Sequence, residues 1–289
     1  MGLSRGGRTV VYACQRDGRD GSPTVVAEDS PLSDAERCAV PGAAGASHAV
    51  FISAGELVDG RPLVSLRFFT AAGELPACGH GTVAALAVLA QRARARQYEV
   101  MLHAGGRTFT GQATGGGDRF EAGFDPGPVE LRTPAPSESE PVLSALGAGV
   151  AEAMTGCRIA SVGRSRMLVP VPDREVLAKL APSMTRLREA CDRLGLLGCY
   201  VYSPLSADGR LAARMFAPSI GVPEDIANVN STACLAAHLA GGGCARLHAA
   251  MGDSLGQPAT ITATARPGPA GPLVLAGGSA TITSAAVAG

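Results

Sequence analysis

Alternating and continuous apolar stretches divide the chain into many short β segments and a few helices. Thr9 to Cys14, Pro23 to Ala27, His48 to Ser53 and Val64 to Thr70 each read as strands bounded by turn residues. Ser33, with Glu36 three residues later, predicts an N-cap and a short helix over Asp34 to Val40. From Thr82 to about residue 97, Ala, Leu and Val recur at helical spacing, and three β segments follow at Glu99 to His103, Arg107 to Ala113 and Arg119 to Phe124. Residues 126–141 hold five prolines and the run Ser137-Glu-Ser-Glu140, which predicts a linker. The pattern then gives a helix at 141–154, a strand at 158–171, a helix at 174–194, a strand at 198–204, and β segments at 259–265 and 273–283.

One arrangement is written twice. Arg67 to Ala90 is a strand, a turn broken by Gly73 and Pro76, and a helix that opens with Cys78-Gly-His80-Gly81. Arg214 to Ala240 repeats the order with Gly221 and Pro223 in the turn and Asn228-Val-Asn230 at the helix start. The two strand arginines stand about half the chain apart, which suggests two similar domains, at 1–127 and 128–289, rather than a solenoid with its period of about 20–50 residues. A helix start has free N–H groups and a positive dipole end, so each is a candidate carboxylate site, and Gly79 and Gly81 allow close approach to the first.

Composition narrows the partners. Lys+Arg and Asp+Glu are both 25 in 289 residues, so no electrostatic footprint for nucleic acid or an anionic membrane is present. No apolar run reaches the length of a membrane span, and the stretch after Arg8 is too short for a signal-peptide core, which points to the cytoplasm. The eight cysteines show no C-x-x-C pair and no zinc-like spacing with histidine, so reduced thiols and no metal site are expected. His103, His238 and His248 add no cluster by spacing, and G-x-S-x-G, P-loop and dinucleotide fingerprints are missing.

Glu74-Leu-Pro-Ala-Cys78-Gly-His80-Gly-Thr resembles the first signature of the phenazine-biosynthesis PhzF-like isomerase family, and Arg214-Met-Phe-Ala-Pro with Gly221-Val-Pro-Glu-Asp225 and Leu235-Ala-Ala-His-Leu resembles the second. The resemblance implies an α+β fold of the diaminopimelate-epimerase type: two pseudo-symmetric domains, each a barrel-like sheet around a central helix, with the site in the cleft between. It also implies cofactor-independent proton transfer on a small-molecule carboxylate and a homodimer. The branch that processes alkylidene-pyrroline carboxylates for alkylproline antibiotics is one candidate within it.

The departures from that pattern set the candidate chemistry. Where the family reads Ser-Glu-Thr-x-Phe-Val, this chain has Ser47-His-Ala-Val-Phe-Ile52, so His48 stands at the position of the proton-shuttling Glu. Neutral imidazole can take and return a proton, and the competing reading of His48 is packing at a strand start. Asp225 reads either as a partner of the proton carrier or as an acidic helix cap; His80 reads as a donor to a substrate carboxylate or as structural. Cys78, Gly79, Gly81, Asn228 and Asn230 are candidate substrate contacts, with capping the alternative for Asn230. Related racemases use a thiol at each helix start. Cys78 fits the first, but Asn228 occupies the second and Cys234 lies deeper in the helix, which argues against a symmetric two-thiol mechanism. A non-catalytic relative that kept the cleft and binds a metabolite is the alternative to an isomerase.

Overall fold

The computed structural model describes residues 7–58, 60–147, 156–269 and 271–287. The chain forms two compact units, Met1–Asp125 with Gly277–Gly289, and Pro126–Ala276. This differs from a simple cut after residue 127 in one respect. The C-terminal stretch returns to the first unit, because its strand hydrogen-bonds to the N-terminal one, with Ile282 opposite Val11 and Ala280 opposite Ala13.

In the first unit the elements are β1 (Arg8–Ala13), β2 (Ser22–Glu28), α1 (Asp34–Ala43), β3 (His48–Val58), β4 (Arg61–Thr70), β5 (Gly73–Leu75), α2 (Gly79–Ala93), β6 (Gln97–Ala104), β7 (Arg107–Gly116) and β8 (Arg119–Phe124). The predicted capping box of α1 is present: Ser33 Oγ accepts from the Glu36 N–H, and Glu36 accepts from the Ser33 N–H. Strand pairing runs β1, β2, β3, β4, β6, β7, β8, and then through the C-terminal strand, numbered β17 below, back to β1, an eight-stranded closed barrel among the described residues. α2 fills it. Gly79 through Val88, and Ala90, are buried on every side of that helix, as expected of a helix wrapped by sheet rather than laid on it. Glycine makes the fit possible at two wall positions. A Cβ on Gly111 would come within 2.7 Å of Leu86 on α2, and one on Gly277 within 1.9 Å of the Ala122 carbonyl on β8.

The second unit holds β9 (Glu130–Arg132), α3 (Pro136–Leu146), β10 (Arg158–Val162), β11 (Arg164–Pro170), α4 (Arg174–Lys179), α5 (Met184–Leu194), β12 (Leu196–Tyr202), β13 (Arg210–Ala217), β14 (Val222–Asp225), α6 (Val229–Ala240), β15 (Ala245–Met251) and β16 (Ala259–Arg266), with β17 (Leu273–Val287) completing the chain. Strands β9, β10, β11, β12, β13, β15 and β16 are joined in that order. α6 packs against strands near both ends of this row, so the sheet curls around it. The outer face carries a second apolar layer in which Leu143, Leu146, Leu187 and Cys191 of α3 and α5 meet Ile159, Met167, Val169 and Val201.

Three sequence expectations change here. The proline-rich 126–141 segment is not a linker: Pro136 opens α3, where a missing N–H costs nothing, and Arg132 on β9 forms a two-pronged ion pair with Glu138. The expected 174–194 helix is two helices interrupted around Pro182. The expected 158–171 strand is a hairpin turning at Gly163 with φ of +90°. Residues 148–155, the end of the expected 141–154 helix, lie outside the described residues.

The repeat extends to side chains. Arg67 on β4 donates from Nε and Nη2 to the Glu74 carboxylate at 2.8 and 2.7 Å, and its guanidinium lies over the Phe69 ring at 5.0 Å. Arg214 on β13 does the same with Glu224 at 2.9 and 2.8 Å and with Phe216 at 4.8 Å. In each unit this fork ties the strand to the turn just before the central helix and so fixes where that helix begins. Among the described residues, no helix is long and apolar enough to cross a membrane.

Candidate active site

The start of α2 collects the reactive groups of the first unit. Cys78 is its N-cap residue in extended conformation, with no side-chain hydrogen bond capping the first turn. The helix proper begins where the Thr82 N–H and Oγ1 both donate to the Cys78 carbonyl at 2.9 Å. The backbone N–H groups of the first turn therefore point out of the helix end without intrahelical acceptors.

β3 delivers the next group. Its parallel pairing with β2 sets Thr24 opposite His48, and its antiparallel pairing with β4 sets Ala49 opposite Phe69, one strand from the turn into α2. The result places the His48 ring edge to face with His80, centroids 4.3 Å apart. His80 Nε2 lies 3.4 Å from Cys78 Sγ. Ser47 Oγ lies 2.8 Å from His48 Nδ1. All three side chains are buried: His48 is 5% exposed, His80 2% and Cys78 6%.

Burial and the neighbouring His80 hold the His48 imidazole well below its ordinary value, so it is neutral at neutral pH. Loss of solvent thus moves this ring away from the range near 6.5 in which an unperturbed imidazole titrates.

Gly79 and Gly81 are the first and third residues of α2, as the motif suggests. Gly81 has a second constraint: a Cβ there would lie 3.0 Å from the Phe68 ring and 3.1 Å from Cys78 Sγ.

In the second unit, Asp225 ends β14 and accepts from Asn228 Nδ2 at 2.9 Å, while Asn228 Oδ1 caps α6 by accepting from the Ser231 N–H at 2.9 Å. These two residues thus form a linked cap. Asn230 sits at the second position of α6, half-buried.

Sequence reasoning did not single out Arg166. It is 2% exposed on β11, and its Nη1 donates to Cys234 Sγ at 3.0 Å and to the Asn230 carbonyl at 3.5 Å, while Nε has no partner. The available signal was a charged residue in phase with Leu168, next to the apolar run Met167–Val169, on the face that turns toward α6. Tyr200 on β12, bonded to Thr232 Oγ1 at 2.8 Å, was likewise missed; burial pushes its phenol well above the usual range.

A closed eight-stranded barrel around a buried helix defines the fold: α+β of the diaminopimelate-epimerase type. A model of the phenazine biosynthesis-like protein family matches residues 20–286, and the chain belongs to that family. An uncharacterized isomerase of Deinococcus radiodurans is 32% identical over 202 residues, covering 68% of this chain; the match spans 64% of that relative's length, under two thirds. A solved structure described as a predicted epimerase from Pseudomonas aeruginosa is 25% identical with a TM-score of 0.77, covering 96% of this chain and 97% of that one. The PhzF-family protein of Bacillus anthracis gives a TM-score of 0.80 over 97% and 98% of the two chains, and at 16% identity it speaks to the fold alone.

Proposed function

We propose that the chain is a cofactor-independent isomerase that moves a proton, and with it a double bond, within a small carboxylate-bearing molecule. The observation that carries this is the placement of His48, neutral and buried, against His80 and beside the uncapped start of α2. Family membership and relatives named as isomerases or epimerases support the same class of reaction.

In this reading the substrate carboxylate sits at the N–H groups of Gly79 and Gly81, where the helix dipole favours an anion. Electron density withdrawn by that carboxylate acidifies the adjacent C–H. With Nδ1 held by Ser47, His48 uses Nε2 to take the proton, and the electron pair shifts into the neighbouring double bond. The imidazolium so formed is buried beside a second imidazole, hence a strong acid, and returns the proton at the far end of the shifted π system. His80 and Cys78 keep the ring in position and shape the pocket wall. In the second unit, Asp225 and Asn228 give α6 a polar start of its own.

An alkylidene-pyrroline carboxylate of antibiotic metabolism has the required features: a carboxylate, an acidic C–H and a conjugated C=N. The test is solvent exchange in heavy water with a panel of cyclic imino acids. Deuterium entering carbon positions of a panel member supports the isomerase. Tight binding across the panel with no exchange supports the metabolite-binding alternative, in which His48 is only packed.

A further inference from the structure

We propose that His48, Cys78 and His80 form a binding site for a single Zn²⁺ ion, and that its occupation switches proton transfer off. The triad is assembled by the fold rather than by sequence spacing, since β3 supplies one ligand and the start of α2 supplies two. One ligand atom from each residue lies within 4.8 Å of the others. With Zn–S of about 2.3 Å and Zn–N of about 2.0–2.1 Å, the S···N edge of a tetrahedral site is roughly 3.5 Å. The Cys78 Sγ to His80 Nε2 distance of 3.4 Å matches that edge before any ion is bound.

The surroundings suit a metal as well. Ser47 Oγ at 2.8 Å engages His48 Nδ1 and leaves Nε2 as the ligand atom, the outer-shell arrangement that orients metal-binding histidines. Two imidazoles and a thiolate select a borderline or soft ion over Mg²⁺ or Ca²⁺, which prefer oxygen. Three protein ligands leave the fourth position of a tetrahedral ion to water or a carboxylate. Binding releases the thiol proton to solvent and occupies the Nε2 lone pair, so a metal-bound chain has no base. The site itself stands on the triad's geometry alone; only the inhibition rests on the isomerase reading.

The test uses the full chain after chelator dialysis, titrated with Co²⁺ as a spectroscopic stand-in for Zn²⁺. The expected result is a thiolate-to-cobalt charge-transfer band with tetrahedral d–d bands, saturating at an equimolar ratio and bleached by Zn²⁺. The band should vanish in Cys78→Ser, whose fold is checked by circular dichroism. Ser47→Ala, which leaves the three ligands in place, should weaken Zn²⁺ binding by about 10–100-fold. A missing charge-transfer band in wild type, or a band that persists in Cys78→Ser, overturns the site. Deuterium exchange by the metal-free protein separates the two proposals: wild type that binds Co²⁺ when titrated but does not exchange before metal is added leaves the site standing and sinks the isomerase. Exchange that Zn²⁺ does not suppress, in protein that binds Co²⁺, overturns the inhibition.

Discussion

The rings of His48 and His80 meet edge to face with centroids 4.3 Å apart, although the residues are 32 positions apart in sequence and lie on different elements. Burial, and then the second imidazole beside it, disfavour a positive charge on His48, which is why it stays neutral. A neutral base that becomes a strong acid once protonated suits a shuttle that must release what it takes.

That neutrality reaches stability. His48, His238 and His248 all have folded-state values below the unfolded 6.5, chiefly through burial. Above 6.5 both states are deprotonated and the difference vanishes; as pH falls below it the unfolded chain takes up protons that the folded chain refuses. Metal-free protein should therefore be less stable to urea at pH 5.5 than at pH 7.5, a window above most carboxylate titrations. Equal midpoints at the two pH values would contradict the burial of these rings as described.

Barrel closure is tested at Gly277. Any side chain there meets the Ala122 carbonyl at 1.9 Å, and backbone cannot yield as a flexible side chain can. Gly277→Val should cost about 1–3 kcal/mol or more and lower the melting temperature clearly. A variant as stable as wild type would mean that β8 and β17 do not pack as the structure has them.

Gly81→Val makes a different point. Its Cβ would press on Phe68 and on Cys78 Sγ, so the variant should lose both stability and ligand affinity. The motif alone suggests a glycine kept for substrate access, with binding lost and folding spared; the packing adds the structural cost. Thermal melts alongside ligand binding separate the two, and loss of binding with an unchanged melt would restore the simpler view.

Arg166 is a buried cation with no carboxylate in ion-pair range among the described residues. Such a charge is costly, and its two recorded contacts are a thiol and a helix carbonyl. Arg166→Met fills similar space without the charge and should be neutral or stabilising in urea unfolding. A loss of several kcal/mol would instead assign the guanidinium a structural role.

Much of this was legible in the sequence because it is local. The Ser33 cap, the strand-turn-helix repeat and both central helices follow from turn residues and periodicity, and Arg67 and Arg214 marked the repeat before their matching carboxylate forks were visible. What depends on register was hidden. His48 meets His80 only because β3 pairs between β2 and β4, and β17 returns to β1 across the length of the chain. The proline-rich segment misled because Pro136 at a helix start and Pro141 within it have the same composition as a linker. Asp225 reads in the sequence as a partner of the proton carrier or as a cap, and Asn228 as a substrate contact; the cap they form together depends on the turn geometry between β14 and α6.

The central claim is that His48 carries the proton, and His48→Gln tests it most directly, since glutamine keeps much of the volume and a hydrogen-bonding group but cannot shuttle. Deuterium incorporation from heavy water into an exchanging cyclic imino acid should fall by about 10²–10⁴-fold, with binding of the same compound largely retained and circular dichroism unchanged. Exchange at a near wild-type rate in a folded His48→Gln protein would contradict the account.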